Sequence, residues 1–293
     1  MFSRNCGNIA PIDQLLVKLL IGATGENFLK SGRVGKLTLS MGLAISLIIV
    51  VMLVLSPQRP DTDDTKVLAL NPDIEHSIPD FSAIADVTEK KKAFFDYLRP
   101  MIARQNEFIR IDRDFLLSQL ELLTNGESLS SVSIERIQGI ADNYQYNFRQ
   151  ISSKALTNLL MRVDLVPADM ILIQAANETG WGSSRFANEG NNFFGQWCFR
   201  KGCGLVPQSR SSGLNHEVAV YKTVEDSVAS YLKNLNTNAA YLEFRQLRAG
   251  LRSAGEELNA DTLIHGLINY SERQQEYIDE LLQMLRHNRQ LLG

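Results

Sequence analysis

The chain has 293 residues, 44% apolar and 22% charged, which is the composition of a folded globular protein and excludes a largely disordered one. A net charge of −3 with no concentrated basic stretch argues against a nucleic-acid partner. His76, His216, His265 and His287 show no ligand spacing, and no serine sits in a G-x-S-x-G turn, so neither a metal site nor a serine nucleophile is expected.

Residues 37–56, LTLSMGLAISLIIVVMLVLS, carry no charge over about the length that crosses a hydrocarbon core of roughly 30 Å. Lys30, Arg33 and Lys36 precede the run, and Asp61, Asp63 and Asp64 follow it. That asymmetry places the N-terminus in the cytoplasm and the bulk of the chain outside. An uncleaved single-pass transmembrane anchor is the expectation. A cleaved signal peptide is the competing reading, but the run is longer than such a peptide's apolar stretch and no clear A-x-A site follows. The predicted organisation is a cytoplasmic extension at 1–36, the anchor at 37–56, a proline-bearing linker at 57–86 and one folded domain at 87–293.

Within that domain the pattern is mostly helical. Apolar spacing predicts a helix over 88–98, a kink or restart at Pro100, and a second helix over 101–123 that Asn125 and Gly126 end. Further helices are predicted at 131–144 and 153–163. Another begins after Val166, with Pro167 in a first-turn position that needs no backbone donor. Residues 190–213 have no helical period and read as loop with short strands, and 214–221 alternates weakly as a strand. Thr223 and Asp226 form a capping-box pair before a helix over 223–237. Two more helices are expected at 256–270 and 272–292. The fold class is therefore α+β, predominantly α, with a small β lobe. Cys198 and Cys203, close together in a glycine-rich loop, suit a small disulfide-closed ring in an oxidising compartment.

The chemistry points to Glu178. It closes the apolar run 165-LVPADMILIQAA-176 and is followed by Thr179, Gly180, Trp181 and Gly182. A carboxylate there is desolvated and faces the negative end of the helix dipole, and both effects raise its pKa. A general acid needs that, because it must still hold its proton near neutral pH. The bland alternative is a solvated helix end with Gly180 as an ordinary stop. Downstream, Phe193, Phe194, Trp197 and Phe199 are interleaved with Asn191, Asn192 and Gln196. Flat rings beside amides suit a sugar cleft, while core packing is the other explanation for some of the rings.

The run QAANETGWGSSRFA, followed by NNFFGQWCF, resembles the glucosaminidase domain of bacterial peptidoglycan hydrolases, glycoside hydrolase family 73, and most of all its membrane-associated Bax-like members. The likeness extends through CFRKGCGLVP, HEVAVY and NYSER and covers roughly residues 87–290. It implies a lysozyme-like fold and a periplasmic, inner-membrane-anchored enzyme without a cofactor. The bond it would cut is the β-1,4 link between N-acetylglucosamine and N-acetylmuramic acid in peptidoglycan glycan strands. Glu178 matches the catalytic acid, and Asn177 departs from the small apolar residue usual beside it. Glu217, the one acid of the strand lobe, becomes the candidate second carboxylate. Tyr270 becomes a candidate for positioning the sugar, with simple helix packing as its alternative. Trp181, Asn192, Phe193, Phe194, Gln196, Trp197 and Tyr221 become the candidate substrate contacts. Without a second carboxylate in range, the substrate's 2-acetamido group can act as nucleophile. A lytic transglycosylase using Glu178 alone and a non-catalytic glycan-binding module are the rival readings.

Overall fold

Residues 77–207 and 216–292 are those described by the computed structural model. The extension at 1–36, the apolar run at 37–56, most of the linker and residues 208–215 lie outside the described residues. Among the described residues no helix is long and apolar enough to cross a membrane.

Ordered packing is present ahead of residue 87, in the last part of the predicted linker. A 3-10 turn, Phe81–Ala83, is capped by the Asp80 carboxylate, and Phe81 is buried against Phe94 and Tyr97. An aromatic ring buried at this position makes the last part of the linker a strap of the domain. The long helix α1, Val87–Thr124, follows, with the Asp86 side chain accepting the Glu89 N–H at 2.8 Å. It runs unbroken through Pro100, where a kink or restart is predicted. Phe94, Phe95 and Leu98 before the proline and Met101 and Ile102 after it are all buried in one core. Five such side chains, at about 1.5–3 kcal/mol each, outweigh the roughly 3 kcal/mol that an internal proline costs.

Helices α2, Ser131–Asn143, and α3, Ser153–Leu160, each start at a serine cap, Ser130 and Ser152. Helix α4, Ala168–Thr179, is the centre of the fold: every residue from Met170 to Ala176 is buried. It packs against α1 and against the last helix, α9, Gln275–Leu292. A short helix, α5, Arg185–Gly190, leads into three short strands, β1 Trp197–Cys198, β2 Gly204–Leu205 and β3 Glu217–Ala219. They form an antiparallel sheet in the order β1-β3-β2, with Trp197 opposite Val218 and Leu205 opposite the same valine. Helix α6, Val224–Thr237, opens on the Thr223–Asp226 capping box.

Helix α7, Leu242–Ala254, has no counterpart in the sequence reading, and the helix expected at 256–270 shrinks to α8, Ala260–Leu263, and a 3-10 turn, Ile264–Leu267. The reason is chemical. Arg245 and Arg248 occupy the inward face of α7 and are buried, so charge stands where the helical period calls for apolar residues. The architecture is α+β and predominantly helical, with one three-stranded sheet among the described residues.

Candidate active site

Glu178 is the penultimate residue of α4 and half-buried. The turn beyond it explains the glycines. Gly180 caps the helix in the left-handed region at φ 55°, and the N–H of Trp181 returns to the carbonyl of Ala176 at 3.0 Å. The Thr179 hydroxyl donates to the carbonyl of Ala175 at 2.6 Å and accepts the Gly182 N–H at 2.8 Å, closing the turn. A methyl on Gly182 would stand 2.4 Å from Cδ2 of Phe81, so the aromatic strap requires glycine there. Trp181, itself at φ 62°, wedges its ring against Phe94 and Phe95, under the Lys91 ammonium at 4.9 Å.

The Glu178 carboxyl is held from two sides. The Tyr277 hydroxyl, from α9, donates to Oε1 at 2.8 Å. A methyl on Gly195 would stand 3.1 Å from Oε2, so the backbone of the loop after Phe194 lies close against the second oxygen. Behind Tyr277 the bonds continue: Gln174 Nε2 donates to the Tyr277 hydroxyl at 3.0 Å, and the Tyr231 hydroxyl donates to Gln174 Oε1. Every donor in this row, Tyr231 to Gln174 to Tyr277 to Glu178, points toward the carboxylate. Such a chain polarises cooperatively and stabilises negative charge at its end.

Burial raises the Glu178 pKa above its ordinary value. The Tyr277 hydrogen bond opposes that rise, as does Arg273, while Glu280 adds to it. Burial first, and then the charge of Glu178, hold the Tyr277 phenol well above its usual range, so it stays a donor. The group is thus an acid that resists ionising and has a donor ready for the charge once it does.

The predicted site residues separate into two kinds. Tyr270 donates to the carbonyl of Phe194 at 2.7 Å and stacks on Tyr277 with centroids 5.6 Å apart. Its hydroxyl fixes the loop that carries Gly195. Phe193 and Phe194 are fully buried in the core, so their rings present no face to a sugar, and Phe194 stacks on Tyr231. Asn192 is also buried; its amide bridges the carbonyls of Gln196 and Ala219 at 2.9 Å, while its oxygen accepts the N–H groups of Phe194 and Gln196. It shapes the loop from within. Gln196 accepts from Ser230, which in turn accepts from the Tyr221 hydroxyl.

Two rings do face solvent. Trp197 is 54% exposed and stacks on His216, and Phe199 is 76% exposed. Asn177, next to the acid, lines an open cavity of about 430 Å³ with Trp181, Glu280, Gln283 and His287.

Glu217 is buried, and its two oxygens accept the N–H groups of Gly202 and Gly204 at 3.0 and 2.9 Å. The Gly202 amide belongs to the ring closed by Cys198 and Cys203, which are joined in a disulfide, and the Gly204 amide lies directly beyond it. The carboxylate braces that ring and stands there as a structural acid. Cys198, Cys203 and Glu217 are close enough for a metal, but sulfurs joined to each other offer no thiolates. Glu189 pairs with Arg185, and Glu225 forms a two-pronged pair with Arg104.

Residues 154–290 match the family model described as "Glucosaminidase: Mannosyl-glycoprotein endo-beta-N-acetylglucosaminidase". The chain is also 35% identical over 218 residues to Protein bax of Escherichia coli (strain K12), covering 74% of this chain and 76% of that one. The chain belongs to the Bax-like glucosaminidase family. No solved structure matches. The matched span holds Glu178, Gln174, Tyr231, Tyr270 and Tyr277, so the hydrogen-bonded row lies wholly inside the glucosaminidase domain. Such a domain acts on glycans by hydrolysis.

Gln174, Tyr231 and Tyr277 are the residues that sequence reasoning missed. Gln174 had a signal: it is the polar interruption of the apolar run, one helical turn before Glu178 and therefore on the same face. Tyr277 lies 99 residues from Glu178 and has none of its own.

Proposed function

We propose that the protein is a peptidoglycan hydrolase, an N-acetylglucosaminidase that cleaves the β-1,4 link between N-acetylglucosamine and N-acetylmuramic acid. The observation that carries this reading is the Glu178 carboxyl, whose pKa burial raises, with Tyr277 donating to Oε1, within a glucosaminidase domain. Glu178 gives its proton to the glycosidic oxygen as the C–O bond breaks, and the carboxylate that remains takes up the Tyr277 hydrogen bond in full. It then accepts a proton from the water that completes hydrolysis.

The engagement of Glu217 with two backbone amides favours the route in which the substrate supplies the nucleophile. The 2-acetamido oxygen attacks the anomeric carbon, the leaving oxygen takes the Glu178 proton, and water opens the resulting ring. Asn177, Trp181 and Gln283 along the open cavity, with the exposed Trp197 and Phe199, offer the mixture of flat rings and amides that sugars take. We further propose that residues 37–56 anchor the chain in the bacterial inner membrane with the enzyme facing the periplasm, a reading supported by their length and lack of charge.

The test is digestion of purified peptidoglycan with mass spectrometry of the products. Hydrolysis at the proposed bond leaves reducing N-acetylglucosamine ends. Anhydro-muramic ends would instead assign a lytic transglycosylase, and no release at all a binding module.

A further inference from the structure

The turn after α3 holds a second concentration of charge, which the Glu178 chemistry does not use. Arg113 of α1 and Arg245, Arg248 and Arg252 of α7 line a cavity of about 170 Å³ together with Asp164. Asp164 and Arg248 are buried to within 2% of full burial, and Arg245 is buried as well. The Asp164 carboxylate meets Arg252 at 2.9 Å, Arg113 at 3.3 Å and Arg248 at 3.9 Å. It is the one carboxylate among the described residues lining the cavity, so four guanidiniums against one carboxylate leave a net excess of three positive charges there.

Carbonyl oxygens account for part of the arrangement. The chain turns from α3 into α4 without a capping motif, and its free carbonyls take arginine donors. Arg248 reaches the carbonyls of Met161, Asp164 and Leu165, and Arg113 those of Leu160 and Val163. Neutral dipoles, however, do not cancel net charge. Arg113 and Arg245 make their carbonyl bonds through Nη1, which leaves the other edge of each guanidinium fork. Burial pushes Arg245 and Arg248 down to about 10, with the Arg162 charge adding to the fall at Arg245, and Asp164 opposing but not cancelling it at Arg248.

We propose that this cavity binds a tetrahedral oxyanion of the phosphate class, held by the edges that Arg113 and Arg245 leave and by Nη1 of Arg252, whose Nε and Nη2 take the Asp164 carboxylate. A dianion matches the unmatched charge better than a chloride or a single carboxylate, and planar guanidinium forks suit its oxygens. The site is separate from the glycan chemistry and does not depend on it.

Calorimetric titration of the full-length protein with inorganic phosphate, at constant ionic strength, tests this. Binding is expected with a Kd below about 1 mM, together with a Tm higher in phosphate than in sodium chloride of equal ionic strength. Arg252→Gln, which leaves Asp164 paired with Arg113 and Arg248, weakens that binding at least about ten-fold, while Arg136→Gln outside the cavity leaves it unchanged. Should Arg252→Gln fail to fold, phenylglyoxal labelling of Arg252 in the unaltered protein replaces it, and phosphate must slow that labelling. Glycerol phosphate in a parallel titration separates the sources: binding of both probes assigns a phosphate ester, and binding of inorganic phosphate alone assigns the free ion. Equal melting in the two salts, or phosphate affinity indifferent to Arg252→Gln, overturns the proposal.

Discussion

At Glu178 two opposed effects meet on one carboxyl: burial raises its pKa, and the Tyr277 hydrogen bond lowers it. Tyr277→Phe removes the donor that lowers the Glu178 pKa, so the alkaline limb of the pH–rate profile moves to higher pH. The same change lowers kcat by about 10–100-fold, the worth of one hydrogen bond to a charged group. A profile that keeps its limb would separate Tyr277 from the acid. The stability consequence has the opposite sign from an ordinary salt-bridged carboxylate. A raised native pKa means that the folded state binds more protons between the unfolded value and its own, so Glu178 costs stability as pH rises through that window. Glu178→Gln therefore raises Tm at pH 7 and changes it less at pH 4, as scanning calorimetry at the two pH values will read. Glu178 was legible in the sequence because its local context, an apolar helix end and two glycines, carries the physics. Its partners were not, since Tyr231 and Tyr277 reach it only through tertiary packing.

At the scale of elements, the loop from Asn192 to Gln196 is the piece that brings backbone to the acid. Tyr270 holds it from outside through the carbonyl of Phe194, and Asn192 from inside. Gly195 sits at φ 61°, and a side chain there would press on Oε2. Gly195→Ala is expected to cut kcat by roughly ten-fold or more, by displacing the carboxyl, with little loss of helix content by circular dichroism. Glu217→Gln separates bracing from catalysis. As a brace, its loss mainly lowers Tm and leaves turnover within about ten-fold, short of the 10²–10⁴-fold typical of a lost acid–base group. The helices were legible where the apolar period was local, as over 131–144 and 153–163, and where the cap was, as at Thr223. Helix α7 was not, because its buried face carries arginines. The rings of Phe193 and Phe194 looked like a sugar platform because an aromatic residue in sequence does not say which side of a loop it faces.

Across the whole molecule, the described domain places one acid, its donor row and an open cavity at one end of α4, with the arginine cavity at the turn that precedes that helix. If residues 37–56 anchor this domain, the protein stays with the inner membrane through a high-salt wash, since salt screens charges but does not extract apolar residues from hydrocarbon. A shorter soluble periplasmic form in growing cells would make the segment a signal peptide instead. The most direct measurement of the central claim is digestion of purified peptidoglycan by the protein and by Glu178→Gln, read by mass spectrometry of the released ends. The account predicts reducing N-acetylglucosamine ends from the unaltered enzyme, and release about 10²–10⁴-fold slower from a folded Glu178→Gln variant. Release at an undiminished rate from that variant would contradict it.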